Sequence, residues 1–162
     1  MKRIEIQLSK LKALQMVSAE TVYVGGRSVG ADDASTYDKV FATDDDAQFL
    51  TTMYDTAVTS LVTICGEWVD SVTDTDDGSI ITLALPDNLA PQGERNIMAN
   101  AMAYVIASIL ADYLGRLAPE SAKFYEEQGA TLAEAIVSDL NARKRVKYTE
   151  KTGRKWKKDN DK

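Results

Sequence analysis

The sequence predicts a mainly α-helical protein: a bundle of three long helices plus a short N-terminal helix, with a few short β-strands and an extended basic C-terminal tail. Two observations support this prediction. Apolar residues recur at three- and four-residue steps through most of residues 43–142, which is the spacing of one helix face. Alternation with a period of two, which is typical of strands, is confined to short stretches such as RIEIQL.

The length of the chain fits one domain of ordinary size. With 162 residues, of which 44% are hydrophobic, it can bury a single core without metals or disulfides. Three segments are expected: an N-terminal strand and loop segment at 1–42, a helical core domain at 43–142, and a basic C-terminal arm at 143–162.

In the first segment, Ile4, Ile6 and Leu8 alternate with polar residues and predict a short strand. The stretch SKLKALQMV, residues 9–17, then fits a short helix. Its expected inner face consists of Leu11, Leu14 and Met16 or Val17. The following stretch, ETVYVGGRSVGADDAS, predicts a brief strand that leads into a flexible, glycine-containing loop.

The stretch TDDDAQFLTTMYDTAVTSLVTICGEWVDSV predicts an amphipathic helix of about 25 to 30 residues. Thr43 and Asp46 have the spacing of a capping box, at a helix start where negative charge is favoured. The expected inner face consists of Leu50, Met53, Ala57, Leu61, Ile64 or Cys65, Trp68 and Val72. The polar turn TDTDDGS should end this helix, and IITLAL should form a short strand that ends before Pro86.

Two more helices are expected. Pro91 suits the first turn of a helix whose apolar residues lie on all sides, so this helix should be central and covered by its neighbours. Pro119 begins another helix that runs to about Arg143 and ends in the basic turn ARKR. The expected inner face of this last helix consists of Phe124, Leu132, Ala135 or Ile136, and Leu140.

The N-terminus and the apolar content give expectations about location. MKRIEIQLSK has no apolar stretch behind its charges, so it does not resemble a signal peptide. The longest uncharged run, residues 96–111, is shorter than the roughly 20 residues that cross a bilayer, so no membrane segment is expected. Cys65 is the only cysteine, which excludes an internal disulfide and favours a reducing compartment.

The residue types disfavour an enzyme. The chain has no histidine and one cysteine, which leaves no zinc site and no Ser-His or Cys-His pair. Cys65 lies among apolar residues and is expected to be a small buried side chain. GGRSVG lacks the spacing of a phosphate-binding loop and is interpreted as a connector. We therefore expect no catalytic residue and no cofactor.

Two acidic stretches were weighed as metal sites. DTDDGS is similar to a calcium loop, but threonines and Ala84 occupy ligand positions, so a solvated turn is favoured. A di-metal site would need a Glu-x-x-His partner on another helix, which the sequence lacks. Helix capping and a solvated face explain these carboxylates better; they are Asp44, Asp45, Asp46 and Asp55.

Charge divides the chain sharply at residue 143. Residues 1–142 hold 9 Lys and Arg against 22 Asp and Glu, a net charge of −13, whereas residues 143–162 hold 10 against 3, a net charge of +7. The arm has three possible roles: a solubilising end, a contact for nucleic-acid phosphates, or a binder of an acidic protein surface, including another copy. Its candidate partner-binding residues are Arg143, Lys144, Arg145, Lys147, Tyr148, Lys151, Arg154, Lys155, Trp156, Lys157 and Lys158.

The order of segments between Asp44 and Arg143 resembles that of the head-tail connector proteins, also called head-completion or neck proteins, of tailed bacteriophages. In that family an acidic helix start leads into one core helix, and a Leu-Pro-x-x-Leu stretch leads into the second. The matching residues are Asp45, Asp46, Leu50, Ala57, Leu85, Pro86 and Leu89. The chain is also similar to proteins of phages and prophages of gut Bacteroidales that end in a basic tail. Residues 1–42 depart from the compact connectors.

The resemblance implies a non-enzymatic structural protein of the virion neck, made in the bacterial host cytoplasm. Such a protein would form a homo-oligomeric ring, commonly of twelve copies in that family. The ring would join the portal protein to tail proteins and line the DNA channel. The alternative function is a small nucleic-acid-associated accessory protein that binds through its basic arm.

Overall fold

The computed structural model describes residues 1–28 and 46–143. These residues form four α-helices and one three-stranded antiparallel sheet, which confirms a mainly helical protein with short strands. The elements in chain order are β1 (Lys2–Ser9), α1 (Lys10–Ser28), α2 (Ala47–Cys65), a 3-10 turn (Gly66–Trp68), β2 (Val69–Thr75), β3 (Gly78–Leu85), α3 (Pro91–Leu114) and α4 (Pro119–Asn141). The predicted loop glycine Gly30 and the arm beyond Arg143 lie outside the described residues.

The sheet has the order β1-β3-β2, and every pair of neighbouring strands is antiparallel. Its inner face is formed by alternate residues of β1 and β3, which confirms the two strands predicted from RIEIQL and IITLAL. The opposite face, which includes Arg3 and Glu5, is exposed. The buried inner-face residues are Ile4, Ile6, Leu8, Ile81, Leu83 and Leu85.

Tyr54 joins α2 to two strands of the sheet. Its side chain is fully buried, and its hydroxyl donates a hydrogen bond of 2.7 Å to the carbonyl oxygen of Leu8. The same hydroxyl accepts a 3.2 Å hydrogen bond from the backbone N–H of Ser79. Burial raises the pKa of Tyr54, so the hydroxyl stays protonated and keeps its donor. One side chain thus fixes the end of β1 and the start of β3 against the helices.

Helix α3 is the centre of the molecule, as its all-round apolar sequence predicts. It packs against α4, α2, α1 and β1, and its buried residues face several directions. Among the described helices, α3 is the one with the length and apolar composition to cross a membrane. Half of its apolar stretch is buried inside the protein, and core helices commonly share this composition.

The predictions for residues 9–28 were wrong in two respects. The short helix and the brief strand are one helix, α1, of 19 residues, so the bundle has four helices of similar length. Leu11 is exposed rather than inward, and of the alternatives Met16 and Val17 it is Val17 that is buried. Packing outweighs the strand preference of TVYV, because the apolar positions fit the spacing of a helix. The buried residues of α1 include Ala13, Val17, Thr21 and Val24.

The long helix predicted to reach Val72 ends at Cys65 instead. Gly66 has a φ of +52°, which breaks the helix, and Trp68 lies in the 3-10 turn that follows. Val72 belongs to β2, a polar strand that forms because it pairs with β3. Asp46 lies at the N-cap of α2 rather than inside its first turn, and its carboxylate makes no hydrogen bond to the N–H groups of that turn. Thr43 lies outside the described part of the chain.

Helix α4 begins at Pro119 as predicted, and Ile136 and Leu140 of its predicted inner face are buried. The prediction was wrong for Phe124, which is 62% exposed, whereas its neighbour Tyr125 is buried. The helix ends at Asn141, so the basic turn ARKR is not its last turn. The buried residues of α4 are Ala122, Tyr125, Gly129, Ile136 and Leu140.

Replacement of Gly78 by alanine should destabilise the protein by at least about 2 kcal/mol. Gly78 has a φ of +147°, and a Cβ there would lie 1.9 Å from the carbonyl oxygen of Leu8. Gly129→Ala is the matched control: its Cβ meets only the Cβ of Ala107, at 4.0 Å. Because alanine favours helices, Gly129→Ala should raise stability by up to about 1 kcal/mol. Urea denaturation followed by circular dichroism measures both, and shifts of the same sign would contradict this account of the hairpin corner.

Candidate functional site

Of the predicted partner-binding residues, Arg143 is the one that the structure describes. It follows α4, and its guanidinium Nη1 donates to the carbonyl oxygens of Leu140 and Ala142, at 3.0 and 3.3 Å. The guanidinium carbon lies 5.7 Å from the ring centroid of Trp68, and the backbone forms an antiparallel bridge with Leu89. The arm is therefore attached to the body where α4 ends and α3 begins. The other predicted partner-binding residues lie outside the described residues: Lys144, Arg145, Lys147, Tyr148, Lys151, Arg154, Lys155, Trp156, Lys157 and Lys158.

An open groove of about 790 Å³ lies between α1, α3 and α4. Its floor is apolar and comes mainly from α3, with Ile106 and Leu110. Its rim carries large apolar side chains that are exposed in this chain: Met16, Tyr23 and Phe124. A groove of this volume is large enough for a bulky side chain or a short peptide segment. Exposed aromatic and methionine side chains around a concave surface are typical of protein-binding sites.

One hydrogen bond connects the two walls of the groove. The hydroxyl of Tyr125 on α4 donates to Oε2 of Glu20 on α1 at 3.1 Å. Burial and the nearby charge of Glu20 raise the pKa of Tyr125 to about 12, so this hydroxyl stays a donor at neutral pH. The ring of Phe124 packs edge-on against the ring of Tyr125, with 5.2 Å between centroids. These contacts hold the rim in place without a ligand.

The charge of the groove selects among ligands. The described residues that line it include two carboxylates, Glu20 and Glu120, and neither lysine nor arginine. Carboxylates repel phosphate groups, so this surface does not suit nucleic acid. A ligand that combines an apolar or aromatic group with positive charge matches both its floor and its rim.

Three of the residues weighed for catalysis or metal binding have structural contacts, and Asp44 and Asp45 lie outside the described residues. Burial raises the pKa of the Cys65 thiol to about 11, so the thiol is protonated at neutral pH and is a poor nucleophile. Asp46 accepts a hydrogen bond of 3.4 Å from the hydroxyl of Tyr113. Asp55 lies 3.7 Å from the ammonium of Lys10. Within residues 1–28 and 46–143, no three metal-ligating side chains come together.

The groove was not predicted from the sequence, because the predicted strand replaced the second half of α1. On a helix, Met16, Glu20 and Tyr23 lie on one face, at steps of four and three residues. This face is separate from the buried face of α1. If residues 16–23 are taken as a helix, the sequence shows a second apolar stripe that includes one carboxylate. Phe124 was missed for a related reason, since it was assigned to the core. The groove itself requires the relative placement of three helices, which the sequence pattern does not give.

Comparisons of the chain with protein-family models, with curated proteins and with solved structures found no match. The interpretation of function therefore rests on the residues and their geometry.

The stability of the protein should fall as the pH rises from about 10 to 12. Burial and neighbouring carboxylates raise the pKa values of Tyr113 and Tyr125 from 10 to about 12. Since these folded-state values are raised, their stabilisation is complete below pH 10 and is lost as the pH passes through 12. The expected loss is about 2 to 3 kcal/mol for each tyrosine.

Urea denaturation at pH 9, 10, 11 and 12 measures this loss. Tyr125→Phe should reduce it, because the variant keeps the contributions of Tyr113 and Tyr54 and loses that of Tyr125. Tyr104→Phe is the control, since the half-buried Tyr104 bonds no carboxylate within the described chain. An equal pH dependence in both variants would show that the Tyr125 contact with Glu20 does not carry the effect.

Proposed function

We propose that the chain is a non-enzymatic structural subunit of a homo-oligomeric ring, the head-tail connector in the neck of a tailed bacteriophage. In this proposal the ring joins the portal protein to tail proteins and lines the DNA channel. The observation that carries the proposal is the division of charge between an acidic body of −13 and a basic arm of +7. The order of segments resembles that of connector proteins, and this resemblance is the reason for proposing a connector ring in particular.

The charge division favours association between copies through the arm. Two bodies of −13 repel each other, so direct contact between them is costly unless positive charge lies at the interface. Each copy carries ten basic residues in its arm and can supply that charge to a neighbour or to the portal. A contact from the arm of one copy to the body of the next is heterologous, and such contacts close into a ring when the rotation permits.

The acidic surface of the body also fits a channel wall. The β2–β3 hairpin carries exposed carboxylates, namely Asp70, Asp74, Asp76 and Asp77. A wall of this sign does not bind the phosphates of DNA, which would let the genome pass without being held. In the assembled subunit, α2, α3 and α4 would be the three long core helices, and residues 143–162 would act as an extended basic tail.

The proposed location and partners follow from the proposed connector function. The protein would be made in the host cytoplasm and built into the virion, with other copies of itself, the portal and tail proteins as partners. The family that it resembles commonly has twelve copies in the ring. No cofactor and no membrane takes part in this proposal.

A chain that ends at Arg143 should keep its helical fold and lose ring formation or portal binding. The removed residues follow the last described contact of the body, so circular dichroism should show the same helix content. Electron microscopy and mass photometry of the full chain should show annular particles that the shortened chain does not form. A full-length arm with its Lys and Arg residues changed to Gln is the matched control, because it keeps the length and removes the charge. A full chain that is strictly monomeric, or assembly that is unchanged by truncation, would contradict the proposal.

The composition of the arm favours one second candidate, an accessory protein that binds nucleic acid. Lys and Arg neutralise phosphates, and Tyr148 and Trp156 are aromatic side chains that can stack on bases. This candidate predicts a steep dependence of DNA affinity on salt concentration that disappears when the arm is removed. A DNA titration at several salt concentrations measures it, and the lack of binding at low salt would exclude this candidate.

A further inference from the structure

The apolar groove between α1, α3 and α4 is uncovered in the described structure, and its rim is unusually exposed for large apolar residues. Tyr23 and Phe124 are 59% and 62% exposed. Exposed aromatic side chains around an apolar floor mark an interaction surface more often than a solvated one. A partner for this surface should bring an apolar group for the floor and positive charge for Glu20 and Glu120.

The basic arm contains one segment with this chemistry. Residues 154–158 read Arg-Lys-Trp-Lys-Lys, so that Trp156 is flanked by two basic residues on each side. Tryptophan is enriched among the energetic hot spots of protein interfaces, and charged residues around such an anchor add specificity. Although Glu20 already accepts a hydrogen bond from Tyr125, a carboxylate can accept several, so it can also pair with a lysine.

We infer that the groove receives the Trp156 segment of the arm of a neighbouring copy. The indole of Trp156 would lie on the floor formed by Ile106 and Leu110, with the flanking cations paired to Glu20 and Glu120. The inference rests on the proposed function in one respect, namely that copies of the chain assemble. It specifies which surface of the body receives the arm.

The position of Arg143 sets how far the arm has to reach. Arg143 is fixed at the end of α4, whereas the groove is lined by residues 120–128 at the start of that helix, about 26 Å away along its axis. At Arg143 the backbone pairs with Leu89, beside the start of α3 and not beside the groove. An arm that crosses to another copy also brings positive charge between two acidic bodies, which favours that arrangement over binding within one copy.

Reach alone does not decide between the two arrangements. The 13 residues from Arg143 to Trp156 span at most roughly 45 Å, which exceeds the length of α4. The experiment therefore has to identify which copy donates the arm. A photo-crosslinking amino acid, p-benzoylphenylalanine, is placed at position 156 of the full chain. Equal amounts of ¹⁴N- and ¹⁵N-labelled protein are mixed, irradiated and analysed by mass spectrometry.

The expected products join position 156 of one isotope to peptides of the other isotope from residues 16–24 or 120–128. Crosslinks to these peptides within one isotope only would overturn the inference, because the arm would then occupy its own groove. Crosslinks to other surfaces, or none under conditions in which particles have assembled, would also overturn it.

Two surface variants test the contact without the crosslinker. Trp156→Ala and Phe124→Ser should each weaken self-association at least about tenfold, and the double variant should be little weaker than either single variant. Leu11→Ser is the matched control, since Leu11 is 67% exposed, lies outside the groove and should leave association unchanged. Mass photometry over a range of concentrations measures the effect, and circular dichroism checks that each variant is folded. Equal association of Phe124→Ser and Leu11→Ser would contradict the inference.

The outcomes separate this inference from the proposed function. If annular particles form and Phe124→Ser leaves them intact, the connector role stands and the groove is not the acceptor. If mixed-isotope crosslinks reach the groove while electron microscopy shows no rings and the portal is not bound, the groove is the acceptor and the connector role fails.

Discussion

The need to cover α3 on all sides determines most of this structure. Its apolar residues face α4, α2, α1 and β1, so no single partner could bury them. Helix α4 covers the largest part and approaches closely at Gly93, where a Cβ would lie 3.1 Å from the carbonyl oxygen of Asp139. Where α1 and α4 are separated by the groove, Ile106 and Leu110 of α3 form an apolar floor that stays buried beneath the rim. The candidate binding surface therefore lies over the central helix, and its exposed apolar area belongs to the rim residues of α1 and α4.

The small sheet completes the core at the other side and depends on polar contacts. Tyr54 connects the end of β1 and the start of β3 to α2, and the N–H of Lys10 donates to the carbonyl oxygen of Asp77 at 2.8 Å. These bonds lie where the chain turns from β1 into α1. The orientation of α1, and with it the wall of the groove that carries Glu20, therefore depends on this corner.

Much of this architecture could be predicted from local patterns, and the failures have physical causes. The strands β1 and β3 follow from alternation, and the starts of α3 and α4 follow from Pro91 and Pro119. Strand β2 was missed because VDSVTDT has little apolar alternation and forms through pairing with β3. The full length of α1 was missed because β-branched residues favour a strand locally, whereas packing on α3 favours a helix. The connector role and the functions of the arm residues beyond Arg143 remain predictions, and the groove depended on tertiary placement.

The attachment of Arg143 to the body has a consequence for how tightly a single arm must bind. Because the guanidinium is held by two carbonyl groups beside Trp68, the arm starts from a fixed point on each subunit. In the proposed ring, that point would stay near the next subunit, so a released arm would meet its acceptor again at a high effective concentration, in the millimolar range for short tethers. Individual contacts in such a ring can be weak and reversible, which would allow a misplaced subunit to leave before closure while the finished ring persists.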